Sequence, residues 1–565
     1  MRILFDSKNE KYKKPFGAIK TGQVGYFNIL VPLTCTARKV FLLLEKDGGT
    51  RQKFELTKGA YENGYESFSG DIKIENEGLY FYWFYIKKSD GGFSLFKQGY
   101  NDTNMEEGHK WQLTCYDKNY SAPDWAKGAV IYQIFPDRFN KSGEVDLSGK
   151  LTPFRIHENL NDIPDNRPDS EGNWNTDFFG GNLHGIIEKL PYIKDLGADI
   201  IYLNPIVKAF SNHRYDTADY MAVDPMLGSN EDFKSLCDHA HELGIRIIID
   251  GVFSHTGNRS IYFESAVNEK NSPYLDWYDF KQFPNDYTAW WRVKTLPQIK
   301  KGHPGFIKFI TEEVIPFWIK SGADGIRLDV ADELTDGFIC EISSSAKEIK
   351  KDALIMGEVW EDASNKISYG ERRNYLFGHE LDSVMNYPFL NAIKGLIKGD
   401  KSADDFKEEI MTIVENYPPE ILCCCMNMLS THDTARIYNV VSNKVRIAAF
   451  LQFMLPGAPS IYYGDEIGME GERDPFNRGY FKWDRVDCDL HKFFKKLCRL
   501  KHELIDLKDE NIRFENEKGV LIFYRNNLKI IVNLTNNPFE SGGEIVFGEN
   551  YAGGTILQNG FGIIK

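Results

Sequence analysis

The sequence predicts an α/β protein built on a (β/α)8 TIM barrel, with a β-sandwich before the barrel and a small β-sandwich after it. A unit of amphipathic helix, glycine and apolar strand recurs at Gly197, Gly244 and Gly322. Repeated helix-to-strand units indicate a parallel sheet with right-handed crossovers. Eight short apolar strands fit between residues 130 and 463, the number that closes such a barrel.

The first 121 residues are predicted to form the N-terminal β-sandwich. Segments 25–31, 39–44 and 79–86 are rich in aromatic and β-branched residues and are separated by Gly, Asp and Asn, a pattern typical of strands. A domain of this kind can bind starch-like carbohydrate, or it can serve packing or dimerisation. The residues leave both roles open.

Residues 122–485 are predicted to form the barrel, with an insertion after its third strand. Gly197 and Gly244 are 47 residues apart, whereas Gly244 and Gly322 are 78 apart. About 31 extra residues therefore follow the third strand, and we place the inserted subdomain at about 256–302. An insertion there projects from the face that carries the sites of barrel enzymes.

The helix before Gly322 illustrates the periodicity that identifies the barrel helices. Its apolar residues recur at helical spacing and predict one buried face, formed by Phe306, Phe309, Ile310, Val314 and Phe317.

Residues 486–565 are predicted to form the C-terminal β-sandwich. A helix rich in Lys and Leu over 489–507 leads into three apolar strands, at 520–524, 528–534 and 544–547.

Composition excludes some classes of partner. The chain has 565 residues, with 68 Lys and Arg against 82 Asp and Glu, and a formal charge of −14. An acidic chain without a long basic run is a poor ligand for nucleic acid or an anionic membrane, and we expect neither partner. The sequence shows no apolar run long enough to cross a bilayer, no signal peptide and no Cys-x-x-Cys pair among nine cysteines. We therefore expect a cytoplasmic protein with reduced thiols.

Four acids stand where predicted barrel strands end: Asp250, Asp329, Glu358 and Asp433. Acids there can cap the following helix, but four together favour catalysis. Arg327 lies two residues before Asp329, on the same face of the strand, and we expect it to keep that aspartate ionised. Glu358 would then need a drier setting that holds it protonated.

Two carboxyls in separate roles are the chemistry of glycoside hydrolysis. The residues alone leave a metal-dependent aldolase or hydrolase open, although the His-Glu-x-x-His spacing that favours metal is not present.

Four ordered motifs resemble the signature regions of the α-amylase family, glycoside hydrolase family 13. They are DGVFSH at 250–255, GIRLDV at 325–330, GEVW at 357–360 and STHD at 430–433. Three further segments match accessory motifs of that family: HRYDTADY at 213–220, LP at 296–297 and DPFNR at 474–478.

The resemblance implies a retaining mechanism with Asp329 as nucleophile, Glu358 as acid and base, and Asp433 as a third carboxylate that holds ring hydroxyls. It also implies a set of substrate-binding residues around the cleaved ring, namely Tyr215, His255, Arg327, Trp360, His432, Asp474 and Arg478.

Trp360 after the acid, and the sequence 330–333 after the nucleophile, resemble neopullulanases, cyclomaltodextrinases and maltogenic amylases. The chain departs from that group at Asp332, where Asn is usual. The resemblance implies hydrolysis of α-1,4 bonds in maltooligosaccharides, cyclodextrins or pullulan, with transglycosylation, and a homodimer formed through the N-terminal domain. It leaves open an exo-acting α-glucosidase, an isomerising or phosphorolytic relative, and a non-catalytic glucan-binding protein.

No cofactor is expected to be required. Relatives in the family often bind a structural calcium ion, and the candidate ligands here are Asn140, Asp146 and Asn182, which supply the oxygen donors that calcium prefers.

Overall fold

The structure, a computed structural model, describes residues 2–100, 102–105, 108–517 and 519–565. It divides into two compact units. The first contains Met1–Ser121 together with Glu361–Glu380 and Lys407–Leu422, and the second contains Ala122–Trp360, Leu381–Phe406 and Cys423–Lys565.

The first unit is an assembly of strands that are antiparallel except where Ile19–Lys20 runs parallel to Trp111–Tyr116. The long strand Arg51–Glu62 pairs with Lys39–Lys46 on one side and with Tyr65–Lys73 on the other. The remaining strands of this unit are Lys13–Lys14, Val24–Pro32, Gly78–Lys88, Gly91–Gln98, Asp102–Asn104, Ile367–Ser368 and Glu371–Arg372.

Aromatic side chains fill the core of the first unit. Tyr82 and Phe84, both fully buried in the strand Gly78–Lys88, pack against Phe5 and Trp111 with ring centroids 4.7–6.3 Å apart. Many of the aromatic residues in this part of the sequence thus stabilise the fold.

The later segment Lys407–Leu422 of the first unit contributes polar groups that are buried in it. Glu415 forms an ion pair of 3.2 Å with Lys8, and both side chains are at least nine-tenths buried. The hydroxyl of Thr114 donates to the carbonyl oxygen of Asn416 at 2.6 Å. Burial raises the pKa of Glu415, but Lys8, Ser7 and Lys13 outweigh it and leave the pKa below its ordinary value.

We expect Lys8→Met to lower the free energy of unfolding by about 3 kcal/mol at pH 7, because it leaves Glu415 short of charge compensation. A carboxyl with a depressed folded pKa contributes stability above its unfolded pKa and loses it as the pH falls, so the difference from wild type should shrink on acidification. Denaturant titrations of the variant and the wild type at several pH values measure this difference in the free energy of unfolding. The exposed pair Lys39–Glu55 offers the control Lys39→Met, which should cost under about 1 kcal/mol. Equal losses in the two variants would contradict the prediction.

The second unit contains the barrel, which confirms the predicted fold class. Its eight strands are β1 (Ile131–Ile134), β2 (Ile200–Leu203), β3 (Arg246–Gly251), β4 (Gly325–Leu328), β5 (Leu354–Gly357), β6 (Ser383–Val384), β7 (Met426–Met428) and β8 (Ala458–Tyr462). They pair in parallel in the order β6-β5-β4-β3-β2-β1-β8-β7, and a bridge between Met385 and Met426 links the two ends.

Helices alternate with the barrel strands as the repeat predicts. Gly197 ends its helix in the left-handed conformation, with φ of 100°, where glycine has no Cβ to clash. The α-helices along the chain are Leu183–Leu196, Asn230–Glu242, Ile261–Asn268, Pro304–Phe309, Ile315–Lys320, Asp336–Ile349, Tyr387–Lys398, Ala403–Asn416, Pro419–Cys424, Ile437–Val441, Val445–Met454 and Asp489–Glu503.

The helix before Gly322 contains a π-helical turn over Ile310–Val314. The predicted residues Phe306, Ile310 and Val314 are buried, but beyond the turn Trp318 is buried and Phe317 is only half-buried. A π-turn adds one residue to a helical turn and so shifts the buried face by one position. Phe317 therefore lies at the edge of the buried face, and Phe309, which precedes the turn, is half-buried as well.

Short strand pairs also lie in the connections that follow the first barrel strands. Three pairs belong to the second unit: Arg155–Ile156 with Asp177–Phe178, Val207–Ala209 with Thr217–Val223, and Phe280–Gln282 with Asp286–Tyr287. The last pair lies within the insertion predicted after the third barrel strand.

The C-terminal part of the second unit is an antiparallel sheet of six strands. The strands are Arg513–Glu517, Val520–Arg525, Leu528–Asn533, Phe539–Glu540, Ile545–Ala552 and Thr555–Ile564. All nine cysteines are free thiols. Within the described ranges, no helix has the length and hydropathy needed to span a bilayer.

Candidate active site

One arginine joins three of the strand-end carboxylates. Arg327 lies in β4 and is fully buried. Its Nη1 lies 2.8 Å from Oδ1 of Asp250 and 3.0 Å from Oδ1 of Asp329, and its Nη2 lies 2.8 Å from Oε2 of Glu358. Asp250 is the register partner of Arg327 in the neighbouring strand β3, whereas Asp329 and Glu358 directly follow β4 and β5. Parallel register thus brings residues from three strands to one guanidinium.

Asp329 is buried, and its pKa is raised well above the ordinary value. Burial is the largest cause, and the charges of Glu358, Asp250 and Asp433 add to it, while Arg327 opposes it. Arg327 favours the ionised form of this aspartate, as expected, but the buried setting and three further acids outweigh one guanidinium. Acids this close share their protons as a group.

This environment predicts an acidic limb of the pH–rate profile well above pH 3.8. If Asp329 must be ionised to react, activity falls as the pH falls through its raised pKa. Values of kcat/KM obtained from initial rates between pH 3 and pH 9 measure the position of this acidic limb. An acidic limb at or below the ordinary aspartate value would contradict the raised pKa.

Two neighbours fix the carboxyl group of Glu358. The backbone N–H of Val330 donates to Oε2 at 2.8 Å, and the indole N–H of Trp360 donates to Oε1 at 3.0 Å. Val330 has φ of 36°, an outlier for a β-branched residue that costs of order 1–3 kcal/mol. The strained residue directs its amide at Glu358. Trp360 stacks on Tyr387 with centroids 4.0 Å apart and is 46 % exposed, so its ring is fixed but accessible.

Asp433 lies between His432 and Arg478. Nε2 of His432 is 3.0 Å from Oδ2, and Nη2 of Arg478 is 3.3 Å from Oδ1. Burial raises the pKa of Asp433, but His432 and Arg478 outweigh it, so the pKa lies below its ordinary value. Arg478 also pairs with Asp474 at 2.9 Å. Asp474 and Arg478 therefore form an ion pair beside the cluster. This arrangement is compatible with a structural role and with a substrate-binding role.

Tyr215 and His255 are bound into the same network. The hydroxyl of Tyr215 donates to Oδ2 of Asp250 at 2.8 Å and lies 2.6 Å from Nε2 of His432, and the two rings stack 5.4 Å apart. Nε2 of His255 is 3.0 Å from the carbonyl oxygen of Tyr215. Burial lowers the pKa of His255 to about 4, so the ring is neutral and donates to that carbonyl. His255 therefore positions Tyr215.

Sequence reasoning missed several members of the site. Gln133 and Asn204 place amide nitrogens 3.0 and 3.1 Å from Nδ1 of His432, which therefore accepts and leaves the proton on Nε2. Tyr202 donates to Asp250 at 2.8 Å, and Tyr387 supports Trp360. Gln133 had a usable signal, since it is a polar residue inside the buried strand β1.

The predicted calcium ligands are used elsewhere in the structure. Oδ1 of Asn182 caps a helix by accepting from the N–H of Gly185 at 2.7 Å, and Nδ2 of Asn140 donates to the carbonyl oxygen of Gly185 at 3.1 Å. Asp146 is exposed and accepts from Ser148. These contacts do not arrange the three side chains as ligands of one calcium ion. No catalytic step depends on calcium. The structural calcium ion stays a prediction.

One acidic group among the described residues has ligand spacing for a cation: His157, Asp165 and Asp177. Asp177 already accepts from Asn212 at 2.9 Å and from the backbone N–H of Asp165 at 3.1 Å, and it lies 3.1 Å from His157. Its oxygens are satisfied by protein donors, and the group requires no metal.

A barrel with clustered acids at the carboxyl ends of its strands, three of them held by one guanidinium, defines the class of barrel glycosidases. Residues 133–513 match the family model described as Alpha amylase, catalytic domain. The chain belongs to the α-amylase family of glycoside hydrolases, and its predicted resemblance to that family is confirmed.

Relatives and solved structures place the chain near one group within the family. It is 35 % identical to an amylopullulanase of Thermoanaerobacter thermohydrosulfuricus over 88 % of this chain and 38 % of that one. It is 34 % identical to a cyclomaltodextrinase of Geobacillus thermopakistaniensis over 83 % and 82 % of the two chains. A solved cyclomaltodextrinase superposes with a TM-score of 0.68, 26 % identity, and coverage of 95 % and 92 %. The chain spans less than half the length of the amylopullulanases that it matches.

Proposed function

We propose that the protein is a retaining α-glucan hydrolase that cleaves α-1,4 bonds in maltooligosaccharides, cyclodextrins or pullulan, with transglycosylation as a side reaction. The observation that carries this proposal is the cluster around Arg327, in which one buried guanidinium holds Asp250, Asp329 and Glu358. The names of the relatives, amylopullulanase and cyclomaltodextrinase, support the substrate class.

In the first step, Oδ of Asp329 attacks the anomeric carbon while Glu358 gives its proton to the glycosidic oxygen. The C–O bond to the leaving sugar breaks, and a covalent β-glucosyl ester forms. In the second step, Glu358 takes a proton from water, the water oxygen attacks the same carbon, and Asp329 leaves. An acceptor sugar in place of water gives transglycosylation.

Two features of the cluster support this sequence of steps. The guanidinium of Arg327 contacts both Asp329 and Glu358, and a short separation between the two carboxyls is typical of retaining glycosidases. Among the described residues, the network of Asp250, Asp329, Glu358, Asp433 and Asp474 contains two arginines, Arg327 and Arg478. A net negative site stabilises the positive charge that develops on the sugar ring.

The remaining residues position the ring. Asp433, held by His432 and Arg478, would accept hydrogen bonds from ring hydroxyls. Tyr215, fixed by Asp250 and His432, would stack on the ring, and Trp360 would contact the sugar beyond the cleaved bond. Three intact carboxylates argue against a non-catalytic glucan-binding protein.

A product profile tests the proposal. Maltotriose, γ-cyclodextrin, pullulan and soluble starch are incubated with the enzyme, and the products are separated by chromatography. We expect faster cleavage of the oligosaccharide and cyclodextrin than of starch, and NMR at early times should show α-anomeric products. Release of β-anomers would contradict the retaining course, and no product from any of the four would contradict the function.

The predicted homodimer stays a prediction, which sedimentation velocity on the full chain can test.

A further inference from the structure

We propose that a pocket between the C-terminal sheet and the two helices that flank β8 in the chain binds a phosphorylated monosaccharide. This inference goes beyond the proposed hydrolase activity, because the pocket is separate from the carboxylate cluster and takes a different ligand.

The pocket has a volume of about 390 Å³, which lies within the range of small-molecule sites. Arg446 lines it from the helix before β8, Lys492 from the helix after β8, and Glu549 from the strand Ile545–Ala552. Among the described residues of the lining, none belongs to a barrel strand or to the carboxylate cluster. The pocket is therefore a second site on this chain and not an extension of the first.

Two lysines of the pocket have no carboxylate partner. Lys492 and Lys496 both line the pocket, both are exposed, and neither forms an ion pair with another described residue. Lys495, on the same helix but outside the lining, pairs with Asp195 at 2.5 Å. Like charges one helical turn apart repel each other. The two unpaired lysines are therefore arranged to hold an anion.

The charge balance of the lining supports an anionic ligand. Arg446 donates to Oε1 of Glu549, so these two charges neutralise each other. Two lysines against one acid, Asp489, then leave a local charge of +1, although the whole chain has a formal charge of −14. A phosphate monoester carries a charge of about −2 at neutral pH and would be attracted to this pocket.

Aromatic side chains give the pocket a rigid floor. Phe493 and Phe547 both line it, and their ring centres lie 6.1 Å apart in a stacked arrangement. Phe547 also stacks on Phe450 at 6.2 Å, and the guanidinium of Arg446 lies 5.1 Å from the ring centre of Phe493. Because these side chains are fixed by one another, little further order is lost when a ligand binds on them.

Irregular strand pairing brings exposed apolar side chains into the same pocket. The strand Ile545–Ala552 shifts register with the last strand twice, after Ile545 and after Glu549. A bulge of this kind turns side chains out of the regular alternation. Val546 and Tyr551 both line the pocket and are 42 % and 45 % exposed, so they offer an apolar surface that the protein itself does not cover.

These features together match one class of ligand. Lys492 and Lys496 suit a phosphate group, and the carboxylates of Asp489 and Glu549 can accept hydrogen bonds from hydroxyl groups. The aromatic and alkyl surface suits the apolar face of a sugar ring. A neutral glucan would leave both lysines without a counter-charge, and inorganic phosphate would leave the apolar surface uncovered. A phosphorylated monosaccharide uses every part of the lining.

Calorimetric titration of the full chain with glucose 6-phosphate tests the proposal. We expect a single site, and Lys492→Met and Lys496→Met should each weaken binding roughly tenfold, the size expected for loss of one charge-assisted contact. Lys495→Met is the matched control, because this lysine lies on the same helix and already pairs with Asp195, and it should leave the Kd unchanged. Binding at the carboxylate cluster instead would survive both pocket substitutions.

A second ligand separates the phosphate from the sugar. Inorganic phosphate should bind more weakly than glucose 6-phosphate and should also lose affinity in Lys492→Met. Tyr551→Ala should weaken the binding of glucose 6-phosphate but not that of inorganic phosphate. Since these side chains are exposed, the variants should melt at the wild-type temperature, which confirms that any loss comes from the pocket.

The proposal would be overturned if glucose 6-phosphate did not bind at up to about 10 mM, if it bound equally well to the wild type and both pocket lysine variants, or if Lys495→Met caused an equal loss. Inorganic phosphate that binds as tightly as glucose 6-phosphate would overturn the assignment of a sugar ligand. The titrations involve no hydrolysis, so their failure leaves the proposed function standing, and a chain without hydrolase activity could still show the predicted binding.

Discussion

Asp329→Asn is expected to lower kcat on maltotriose by about 10⁴-fold or more, because the amide cannot form the covalent ester of the proposed two-step reaction. Asparagine has nearly the same shape as aspartate, and burial already disfavours the charge at this position. The melting temperature should therefore not fall. A steady-state assay beside a thermal melt separates the loss of chemistry from a loss of fold.

Glu358→Gln should cost about 10²–10⁴-fold on the same substrate, the usual contribution of a general acid. It should cost far less for the first step on α-glucosyl fluoride, since fluoride leaves without a proton. Comparison of the two substrates thus identifies the acid.

Azide distinguishes the two roles by stereochemistry. In Asp329→Gly, azide can enter from the face that the carboxylate vacates and displace fluoride from α-glucosyl fluoride, which gives the β-glucosyl azide. In Glu358→Gln, azide can attack the glucosyl ester in place of water and gives the α-glucosyl azide. The opposite pairing of anomers, or wild-type rates in either variant on maltotriose, would contradict the assignments.

Arg327→Met should lower the free energy of unfolding by about 3–5 kcal/mol at pH 7, because it leaves Asp250, Asp329 and Glu358 buried without their shared cation. Activity should fall with stability, since the positions of Asp329 and Glu358 depend on the same group. Thermal and denaturant unfolding of purified variants measure the effect.

The loss should depend on pH with a defined sign. Without Arg327, the three carboxyls are buried without their shared cation, and unpaired buried carboxylates destabilise the fold at high pH but not once they are protonated. The difference between variant and wild type should therefore be smaller at pH 5 than at pH 7. A deficit that grows on acidification would argue against unpaired carboxylates as its cause.

Three variants complete this test. Arg327→Lys keeps the charge but not the planar fork and should show an intermediate loss, and Asp250→Asn in the Arg327→Met background should restore part of the stability. Arg499→Met removes an exposed arginine that pairs with Glu503 and should cost under about 1 kcal/mol.

The barrel and its acidic strand ends were accessible from the sequence, because both are local patterns. The recurring glycines Gly197, Gly244 and Gly322 marked helix ends, and short apolar runs that stop at Asp329 and Glu358 marked where strands leave the core. The spacing of these glycines along the chain then indicated the length and position of the insertion after the third strand. None of these inferences needed a long-range contact.

Other features depend on residues that are distant in the chain. The sequence placed Arg327 beside Asp329 but could not show that the same guanidinium reaches Asp250 and Glu358, since strand register decides this. Gln133 and Asn204 meet His432 only when the barrel closes.

The sequence by itself determined the fold class, the family and the identity of the carboxylates, because periodicity and ordered motifs are properties of the chain. The tertiary structure decided the electrostatics. Asp329 has a raised pKa and Asp433 a lowered one, although both are aspartates that follow a barrel strand. Their difference comes from burial and from which charges lie across the site, and those quantities exist only once the strands are assembled.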